Sequence, residues 1–247
     1  MTQAADSPVV FAPVSRAAVS EDIFRQLRDA ILDGSLEPGT ALPGERVLAA
    51  QFAVNRHAVR EAMRRLEQAR LVEVNHGGST RVLDWRSHAG LELLGELATA
   101  GDLGAVLLLR SVVEMRLAVG IDAARLAAVR VDDDAAADLT GHVDRLLALD
   151  ELPSDETLGA EYDALWRMIV RASDNLAYQL ADNTLVEALH RFPDLSLQLS
   201  RPEIIDLAAQ RALVEAIAAH DDVAAVAAAR DLLERMVTSS VAVVDSA

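Results

Sequence analysis

The stretch from Val54 to Val82 constrains the fold more strongly than any other part of the chain. Asn55 is a favourable helix N-cap, because its side chain can accept a hydrogen bond from a backbone N–H in the first helical turn. Apolar residues follow at the spacing i, i+3, i+4 and i+7, which places them on one face of a helix. They are Val59, Ala62, Met63 and Leu66. The pattern predicts a capped helix with one buried face and one polar face.

Two short apolar segments follow this helix and are separated by a tight turn. The first contains Leu71, Val72 and Val74, and the second contains Arg81, Val82 and Leu83. Between them, His76-Gly77-Gly78-Ser79 has the composition of a hairpin turn. Because glycine has no side chain, the tip of this predicted hairpin can approach another molecule closely.

Two further helices are predicted before the capped one. The first runs from about 20 to 33 with Ser20 as its N-cap, and the second runs from Glu45 to Phe52 with Leu48 and Phe52 turned inward. Between them, "DGSLEPGTALPGE" contains three turn dipeptides and is predicted to be an ordered loop. Helix, loop, short helix, capped helix and hairpin in this order predict a winged helix-turn-helix domain at 19–85, after a flexible arm at 1–18.

Positive charge is concentrated near the capped helix, although the chain as a whole is acidic. The formal net charge of the chain is −16, whereas residues 1–86 contain eleven Arg and eleven Asp plus Glu and are neutral. From Arg46 to Arg70 there are six Arg and only two acidic residues. An acidic protein repels nucleic acid except where its surface is locally basic, so this segment is the candidate for a DNA contact.

Four basic residues lie on the helix face opposite the apolar stripe. They are Arg56, His57, Arg60 and Arg64. In a helix-turn-helix, the N-terminal part of the second helix enters the major groove, where a guanidinium can donate two hydrogen bonds to guanine. Arg56 and His57 occupy that part of the helix. A solvated face that binds nothing is the alternative explanation, but the ordered series of elements around the face favours DNA binding.

The segment "AILDGSLEPGTALPGERVLAAQFAVNRHAVREAMRRLEQARLVEVNHGGS" resembles the DNA-binding domain of the GntR family of bacterial transcription regulators. The resemblance implies DNA contacts at five positions, which are Arg46, Arg56, Arg60, His76 and Gly77. It further implies that Arg46 and Arg60 bind mainly phosphates and that Arg56 binds a base. Family members often have Ser or Thr where this chain has His57 and Ala58, so the operator sequence is left open.

Residues 87–247 contain twelve Arg against twenty-eight Asp plus Glu, and they are predicted to be helical throughout. The predicted helices lie at approximately 88–100, 104–130, 133–150, 154–173, 175–191, 202–219 and 221–243. Seven helices without a sheet predict a helical bundle over residues 86–247. The expected fold class is therefore mainly α.

The segments "LRSVVEMRLAVGIDAARLA" and "EYDALWRMIVRASDNLAYQL" resemble the effector-binding domain of the FadR-type branch of GntR regulators. Many members of this branch bind a metal ion through one Asp and three His. The corresponding positions in this chain are Tyr162, Trp166, Gln210 and Leu232. None of these side chains suits a metal ion. The expectation is a cavity without metal or cofactor, with Tyr162 and Trp166 on one wall.

The same resemblance implies long-chain acyl-CoA as the effector, because the members of the branch without metal include a fatty-acid regulator that binds long-chain acyl-CoA. Arg110 is a further candidate effector ligand, since it lies in the apolar stretch "AVLLLRSVV", where an unpaired guanidinium would be costly. Two alternatives stay open: Arg110 pairs with Glu114 one turn on, and Trp166 is an ordinary core residue. A small organic acid held by Arg110 is the alternative effector.

Composition argues against an enzyme. The chain has no Cys, and all 23 of its basic residues other than His are Arg, so thiolate nucleophiles and Walker-type phosphate loops are excluded. It also lacks G-x-S-x-G and H-E-x-x-H motifs, which leaves activity on an acyl thioester as the remaining enzymatic alternative. No run of about 18 uncharged apolar residues and no apolar leader are present, which predicts a cytoplasmic protein without membrane contact.

The expected function is that of a homodimeric repressor. It binds operator DNA, controls genes of fatty-acid metabolism and leaves the DNA when long-chain acyl-CoA binds the helical domain.

Overall fold

The computed structural model describes residues 16–74, 79–97, 102–149 and 151–244, with side chains at 19–74, 79–97, 108–149 and 151–240. The chain divides into two compact units, the first ending at Gly90 and the second beginning at Leu91. The expected fold class is confirmed: a winged helix-turn-helix is followed by a helical domain. No helix in the described part of the chain is long and apolar enough to cross a membrane.

The first unit contains four helices and three strands within the described residues. They are α1 (Arg16–Leu32), β1 (Ala41–Leu42), α2 (Glu45–Gln51), α3 (Arg56–Gln68), β2 (Val72–Val74), β3 (Thr80–Val82) and α4 (Trp85–His88). The strands form an antiparallel sheet in the order β1-β3-β2, so β3 is paired on both sides. Ala41 lies opposite Arg81, and Val72 lies opposite Val82.

The cap and the buried face of α3 are as predicted. The Asn55 side chain accepts a hydrogen bond from the Ala58 backbone N–H at 2.9 Å. Val59, Ala62 and Leu66 are each 0% exposed. They pack against α1, whose buried apolar residues are Ile23, Phe24, Leu27 and Ile31. Because burial of apolar surface is the main stabilising contribution to folding, this contact fixes the orientation of α3 in the first unit.

Three details of the first unit differ from the sequence prediction. Helix α1 begins at Arg16, so Ser20 lies inside the helix and is buried, where it cannot act as the N-cap. The loop before α2 contains strand β1, because its backbone pairs with β3 while Leu42 is buried. Phe52 is the C-cap of α2 and only half-buried. Of the predicted arm at 1–18, residues 1–15 lie outside the described residues.

The second unit contains eight helices within the described residues. They are α5 (Leu93–Leu97), α6 (Asp102–Arg130), α7 (Asp133–Leu147), α8 (Asp155–Ala172), α9 (Leu176–His190), α10 (Pro193–Ile204), α11 (Leu207–Ala218) and α12 (Asp222–Val244). Five of these helices begin after a side chain that accepts a backbone N–H bond from the first turn. These capping residues are Asp132, Ser154, Asn175, Asp206 and Asp221.

Two predicted boundaries in the second unit are wrong. The helix predicted at 88–100 is interrupted, since α4 ends at His88 and α5 spans only Leu93–Leu97. The sequence pattern did not predict α10, because Pro193 indicated the end of a helix. Proline is well tolerated in the first turn of a helix, and α10 begins at Pro193. The helix predicted from 202 therefore begins later, after the Asp206 cap.

Gly120 allows α6 to pack closely against α8 and α12. A Cβ atom at this position would lie 2.6 Å from Leu233 Cδ1 and 3.3 Å from Trp166 Cζ3. Both side chains are buried, and the space that they border beside Gly120 is only about 10 Å³. The glycine therefore provides the room that the Trp166 ring occupies.

We expect Gly120→Ala to lower the free energy of unfolding by roughly 1–3 kcal/mol, the usual cost of overpacking a core. Gly141→Ala on α7 is the matched control, because a Cβ atom there would meet nothing within 4 Å. The control should be neutral or stabilising, since alanine favours a helix over glycine by about 1 kcal/mol. Urea unfolding of both variants measures the difference, and equal stability of the two would contradict the packing argument.

Candidate functional site

The first candidate site is the exposed surface of α2 and α3 that carries Arg46, Arg56, His57, Arg60 and Arg64, here called the recognition surface. The sequence analysis placed the last four on the polar face of α3, and all five side chains are exposed in the structure. Arg46 and Arg56 form no ion pair with any residue that the structure describes. Each guanidinium therefore retains N–H donors for an external acceptor.

The position of Arg56 is set by the elements around it. It is the first residue of α3, directly after the Asn55 cap, and the opposite face of the helix is locked into the core by Val59. The unpaired N–H groups at a helix N-terminus also favour a nearby anion. The first turn of α3 can thus present a guanidinium to DNA from a rigid backbone.

Arg60 differs from Arg56 because it is engaged by the protein itself. Its Nε donates to Glu45 Oε1 at 3.1 Å, and its Nη2 donates to Glu45 Oε2 at 2.9 Å. These hydrogen bonds from Arg60 hold the pKa of Glu45 below its ordinary value. The pair connects the starts of α2 and α3, so Arg60 helps to position the two helices. Its contact with a DNA phosphate stays a prediction.

Two other arginines of the basic segment also have partners. Arg64 donates to Glu61 at 2.6 Å, which balances its charge on the surface. Arg65 donates to Glu21 at 2.5 Å and lies over the Phe24 ring, with Cζ 4.1 Å from the ring centre. Arg65 therefore joins α3 to α1. The number of arginines in this segment overstates the positive charge that is available to DNA.

The wing of the first unit is described only at its base. Val74 of β2 lies opposite Thr80 of β3, and Arg81 donates a hydrogen bond to the Gly39 carbonyl oxygen at 2.8 Å. His76 and Gly77, the predicted contacts at the tip, lie outside the described residues.

The second candidate site is a cavity of about 530 Å³ in the helical unit, bordered by α6, α8, α9, α10 and α12. Tyr162 lines it, as predicted, but Trp166 does not. The two rings meet edge to face with their centres 6.3 Å apart. Because of this arrangement, Trp166 lines a separate space of only about 10 Å³ beside Gly120.

The structure does not support Arg110 as an effector ligand. Its side chain is 62% exposed, its Nε lies 2.8 Å from Glu114 Oε1, and it is not among the residues that line the cavity. The buried stripe of α6 contains Leu109, Val112 and Val113, and Arg110 falls outside it. The alternative that Arg110 pairs with Glu114 is therefore the one that the structure favours.

Two arginines that the sequence analysis did not select line the cavity, Arg167 with an exposed side chain and Arg116 with a largely buried one. The buried pair of the cavity is formed by Arg116 and Glu203. Arg116 Nη1 donates to Glu203 Oε2 at 3.0 Å, and the Tyr162 hydroxyl donates to the same oxygen at 2.8 Å. The Met236 backbone N–H donates to the other oxygen, Oε1, at 3.1 Å. Arg116 is 15% exposed and Glu203 0%. Burial raises the pKa of Glu203, and the charge of Arg116 opposes that shift.

One sequence signal could have identified Arg116. Arg116 lies three residues after Val113 and four after Val112, so it falls on the apolar face of α6. Arg110 does not lie on that face. Glu203 carried no comparable signal, because the sequence placed it at the start of a helix predicted at 202–219, whereas it lies near the end of α10 and is buried there.

The four positions that correspond to the metal ligands of related proteins are buried in this structure. Tyr162, Trp166 and Leu232 belong to the apolar core, and the Gln210 amide donates to the Glu203 and Ile204 carbonyl oxygens at 2.9 Å. Within the described residues, no three His, Asp or Glu side chains are grouped as a metal site requires. A cavity without metal stays a prediction.

Comparison with protein families gives a match in each unit. Residues 19–82 match the family described as "Bacterial regulatory proteins, gntR family", and residues 111–235 match the "FCD domain". The first match includes the recognition surface, and the second includes Arg116 and Glu203.

Two curated relatives illustrate the range of similarity. The "HTH-type transcriptional regulator Mce2R" of Mycobacterium tuberculosis is 36% identical over 239 residues, which cover 95% of this chain and 96% of that protein. The "Fatty acid metabolism regulator protein" of Shewanella baltica is 30% identical over 117 residues, which cover 47% of this chain and 49% of that protein. The similarity to the first relative extends over nearly the whole chain.

A solved structure described as "Lar controls the expression of the Listeria monocytogenes agr system and mediates virulence" has a similar fold. The TM-score is 0.50 at 13% sequence identity, and the alignment covers 94% of this chain and 99% of the other. At this identity the likeness concerns the fold alone.

Proposed function

This chain belongs to the gntR family of bacterial regulatory proteins and carries an FCD domain, and we propose that it releases its operator DNA when a fatty-acyl effector binds. A ligand-responsive transcription regulator is the function that family membership and similarity to Mce2R support. The observation that carries the DNA part of the proposal is Arg56, exposed and unpaired with described residues at the start of a rigid, capped helix.

On the DNA, the residues have different roles. Arg56 binds a base edge in the major groove, with His57 beside it, whereas Arg46 and Arg60 bind phosphates. His76 and Gly77 of the wing contact the DNA nearby. Two subunits pair through their helical units and place their α3 helices on half-sites about 34 Å apart, which requires a nearly palindromic operator.

We expect Arg56→Ala to weaken binding to the selected operator by roughly 1–3 kcal/mol and to relax base preference, because a bidentate contact to a base is lost. Arg60→Ala should weaken binding to every sequence similarly, since phosphates are the same everywhere. The measurement is affinity for a duplex selected by the wild-type protein from a random library and for a scrambled duplex. Gln68→Ala is the control on the same helix, because Gln68 is exposed at the C-terminal end of α3 and lies outside the recognition surface. Equal losses on both duplexes for Arg56→Ala would contradict its role.

For the effector, the first candidate is long-chain acyl-CoA, and the regulated genes are those of fatty-acid metabolism. The support is the similarity of about half of the chain to a protein named as a fatty acid metabolism regulator, together with the apolar lining of the cavity. That lining includes Val186, Leu189, Leu197 and Ile204. The ligand can shift the protein away from DNA only by the difference in its affinity for the two states of the dimer.

The second candidate is an organic acid, in this structure held by Arg116 and not by Arg110. The specific observation in its favour is the guanidinium of Arg116, which lines the cavity and is only 15% exposed.

A thermal-shift panel with palmitoyl-CoA and a series of carboxylates from acetate to palmitate distinguishes the candidates. A ligand that binds the folded protein raises the midpoint of unfolding in proportion to the logarithm of its concentration above Kd. A rise with palmitoyl-CoA and loss of DNA binding at the same concentration support the first candidate, and a response limited to carboxylates supports the second. No effect of any ligand on stability or DNA affinity would refute the proposed effector response.

A further inference from the structure

We infer that Glu45 competes with DNA phosphates for Arg60 and thereby limits how strongly the recognition surface binds DNA of any sequence. This role rests on the DNA-binding part of the proposed function, in which Arg60 contacts a phosphate. It adds the residue of this chain that weakens that contact.

Glu45 is an acidic residue beside the arginines of the recognition surface. It is the first residue of α2 and directly precedes Arg46. Hydrogen bonds from Arg60, and to a smaller extent the charge of Arg56, lower the pKa of Glu45. Its carboxylate is therefore ionised at neutral pH, so Arg60 has an anionic acceptor before any DNA phosphate arrives.

Glu45 occupies the edge of the Arg60 guanidinium that suits an anion best. Arg60 Nε donates to Glu45 Oε1 at 3.1 Å, and Arg60 Nη2 donates to Glu45 Oε2 at 2.9 Å. Two parallel N–H bonds of this kind are also the arrangement in which arginine binds a phosphate most specifically. A phosphate cannot use this edge while Glu45 holds it, because both N–H groups are already donated.

Arg60 nevertheless remains accessible to DNA. Its side chain is 67% exposed, and that of Glu45 is 38% exposed. Three of the five N–H groups of the guanidinium lie outside the pair, two on Nη1 and one on Nη2. Glu45 therefore reduces the phosphate contact of Arg60 without abolishing it. Arg46, which forms no ion pair with any residue that the structure describes, is not restricted in this way.

The balance between the two acceptors of Arg60 depends on salt. An exposed ion pair within the protein contributes little stability, because water and salt screen its charges. A phosphate contact has an additional driving force, since each neutralised phosphate releases counterions from the DNA. Removal of the Glu45 charge should therefore add about one full phosphate contact to the complex, and the gain in affinity should be largest at low salt.

Glu45→Gln in the full-length protein tests this role, because the amide keeps the size of the side chain and removes its charge. We expect the association constant to rise about eightfold at about 0.1 M salt, and the slope of log affinity against log salt to become steeper by about 0.9. Both changes should be the same on the selected operator duplex and on the scrambled duplex, since their phosphates are alike. Fluorescence anisotropy titrations over a series of salt concentrations measure them.

Glu67→Gln is the matched control, because it changes the net charge of the first unit by the same amount. Glu67 is exposed, forms no ion pair with any described residue and lies eleven positions after Arg56 on α3. That spacing is about 16 Å along the helix, which exceeds the Debye length of about 10 Å at 0.1 M salt. The control should keep the affinity and the salt slope of the wild-type protein.

Glu45→Gln combined with Arg60→Ala shows whether Glu45 acts through Arg60. Without Arg60 there is no guanidinium to release, so the double variant should have the affinity and the salt slope of Arg60→Ala alone. Thermal unfolding verifies that each variant is folded before DNA is added.

Each outcome decides a separate question. An unchanged salt slope in folded Glu45→Gln overturns the inference. So does a gain in affinity that persists without Arg60, because the carboxylate would then repel phosphates directly, or a gain on the operator duplex alone. Equal binding of the wild-type protein to both duplexes refutes the base reading of the proposed function, whereas a gain of about eightfold in Glu45→Gln would still support the competition for Arg60.

Discussion

Arg116→Met is expected to lower the free energy of unfolding by about 3–5 kcal/mol, because it leaves a charged group buried without its partner. Glu203 is 0% exposed, and Arg116 is the residue with which it forms an ion pair. The Tyr162 hydroxyl and the Met236 N–H would still donate to the carboxylate, but neither carries a positive charge. The measurement is urea unfolding at neutral pH.

The loss of unfolding free energy in Arg116→Met should depend on pH. Burial already raises the pKa of Glu203, and removal of Arg116 takes away the charge that opposes this shift. The folded variant therefore binds a proton at Glu203 more readily than the unfolded chain does, so its stability falls as pH rises from the ordinary pKa of Glu through the raised one. Lowering the pH toward the ordinary value, about 4.3, should recover part of the lost stability.

Adding Glu203→Gln to Arg116→Met should restore most of the stability at neutral pH, because no buried charge remains. Each variant is compared with wild type under the same conditions. A single variant as stable as wild type, or a double variant no more stable than the single one, would show that the pair does not act as described.

Leu66→Ala is expected to lower the free energy of unfolding by about 2–5 kcal/mol, the cost of truncating a leucine in a packed core. Leu66 is 0% exposed on the face of α3 that packs against α1. A folding unit of this size has little stability to lose, since domains are stable by only about 5–15 kcal/mol. Operator affinity should decline at temperatures where the first unit begins to unfold, although Leu66 does not lie on the recognition surface.

Leu66→Met is the matched control, because a swap of similar volume costs less than about 1.5 kcal/mol. Thermal unfolding and DNA affinity are recorded for both variants over the same temperature range. If Leu66→Ala unfolds at the wild-type temperature, or loses DNA affinity while fully folded, then the buried face of α3 does not have the role assigned to it.

The order of elements in the first unit and the cap of α3 could be predicted from the sequence. They depend on interactions between near neighbours: Asn55 bonds a backbone N–H three residues on, and the apolar stripe repeats within the helix. The exposure of Arg56 and His57 follows from the same periodicity. The caps at Asp132, Ser154 and Asn175 lie close to the predicted helix starts in the second unit for the same reason.

Other features depend on segments that are far apart in the chain. Strand β1 is too short to be read from its own residues and exists because β3 pairs with it. The sequence alone indicates no partner for Arg60. In the structure, α2 places Glu45 Oε2 2.9 Å from Arg60 Nη2.

The sequence by itself determined where the helices of this protein have their polar and apolar faces, because a side chain's direction follows from its position in the helical repeat. Only the tertiary structure decided which polar residue belongs to the cavity. Arg110 and Arg116 have the same chemistry and lie on the same helix, but 87 residues separate Arg116 from Glu203 in the chain. The packing of α10 against α8 and α12 places that carboxylate beside Arg116. A contact between residues so far apart in the chain produces no local sequence pattern.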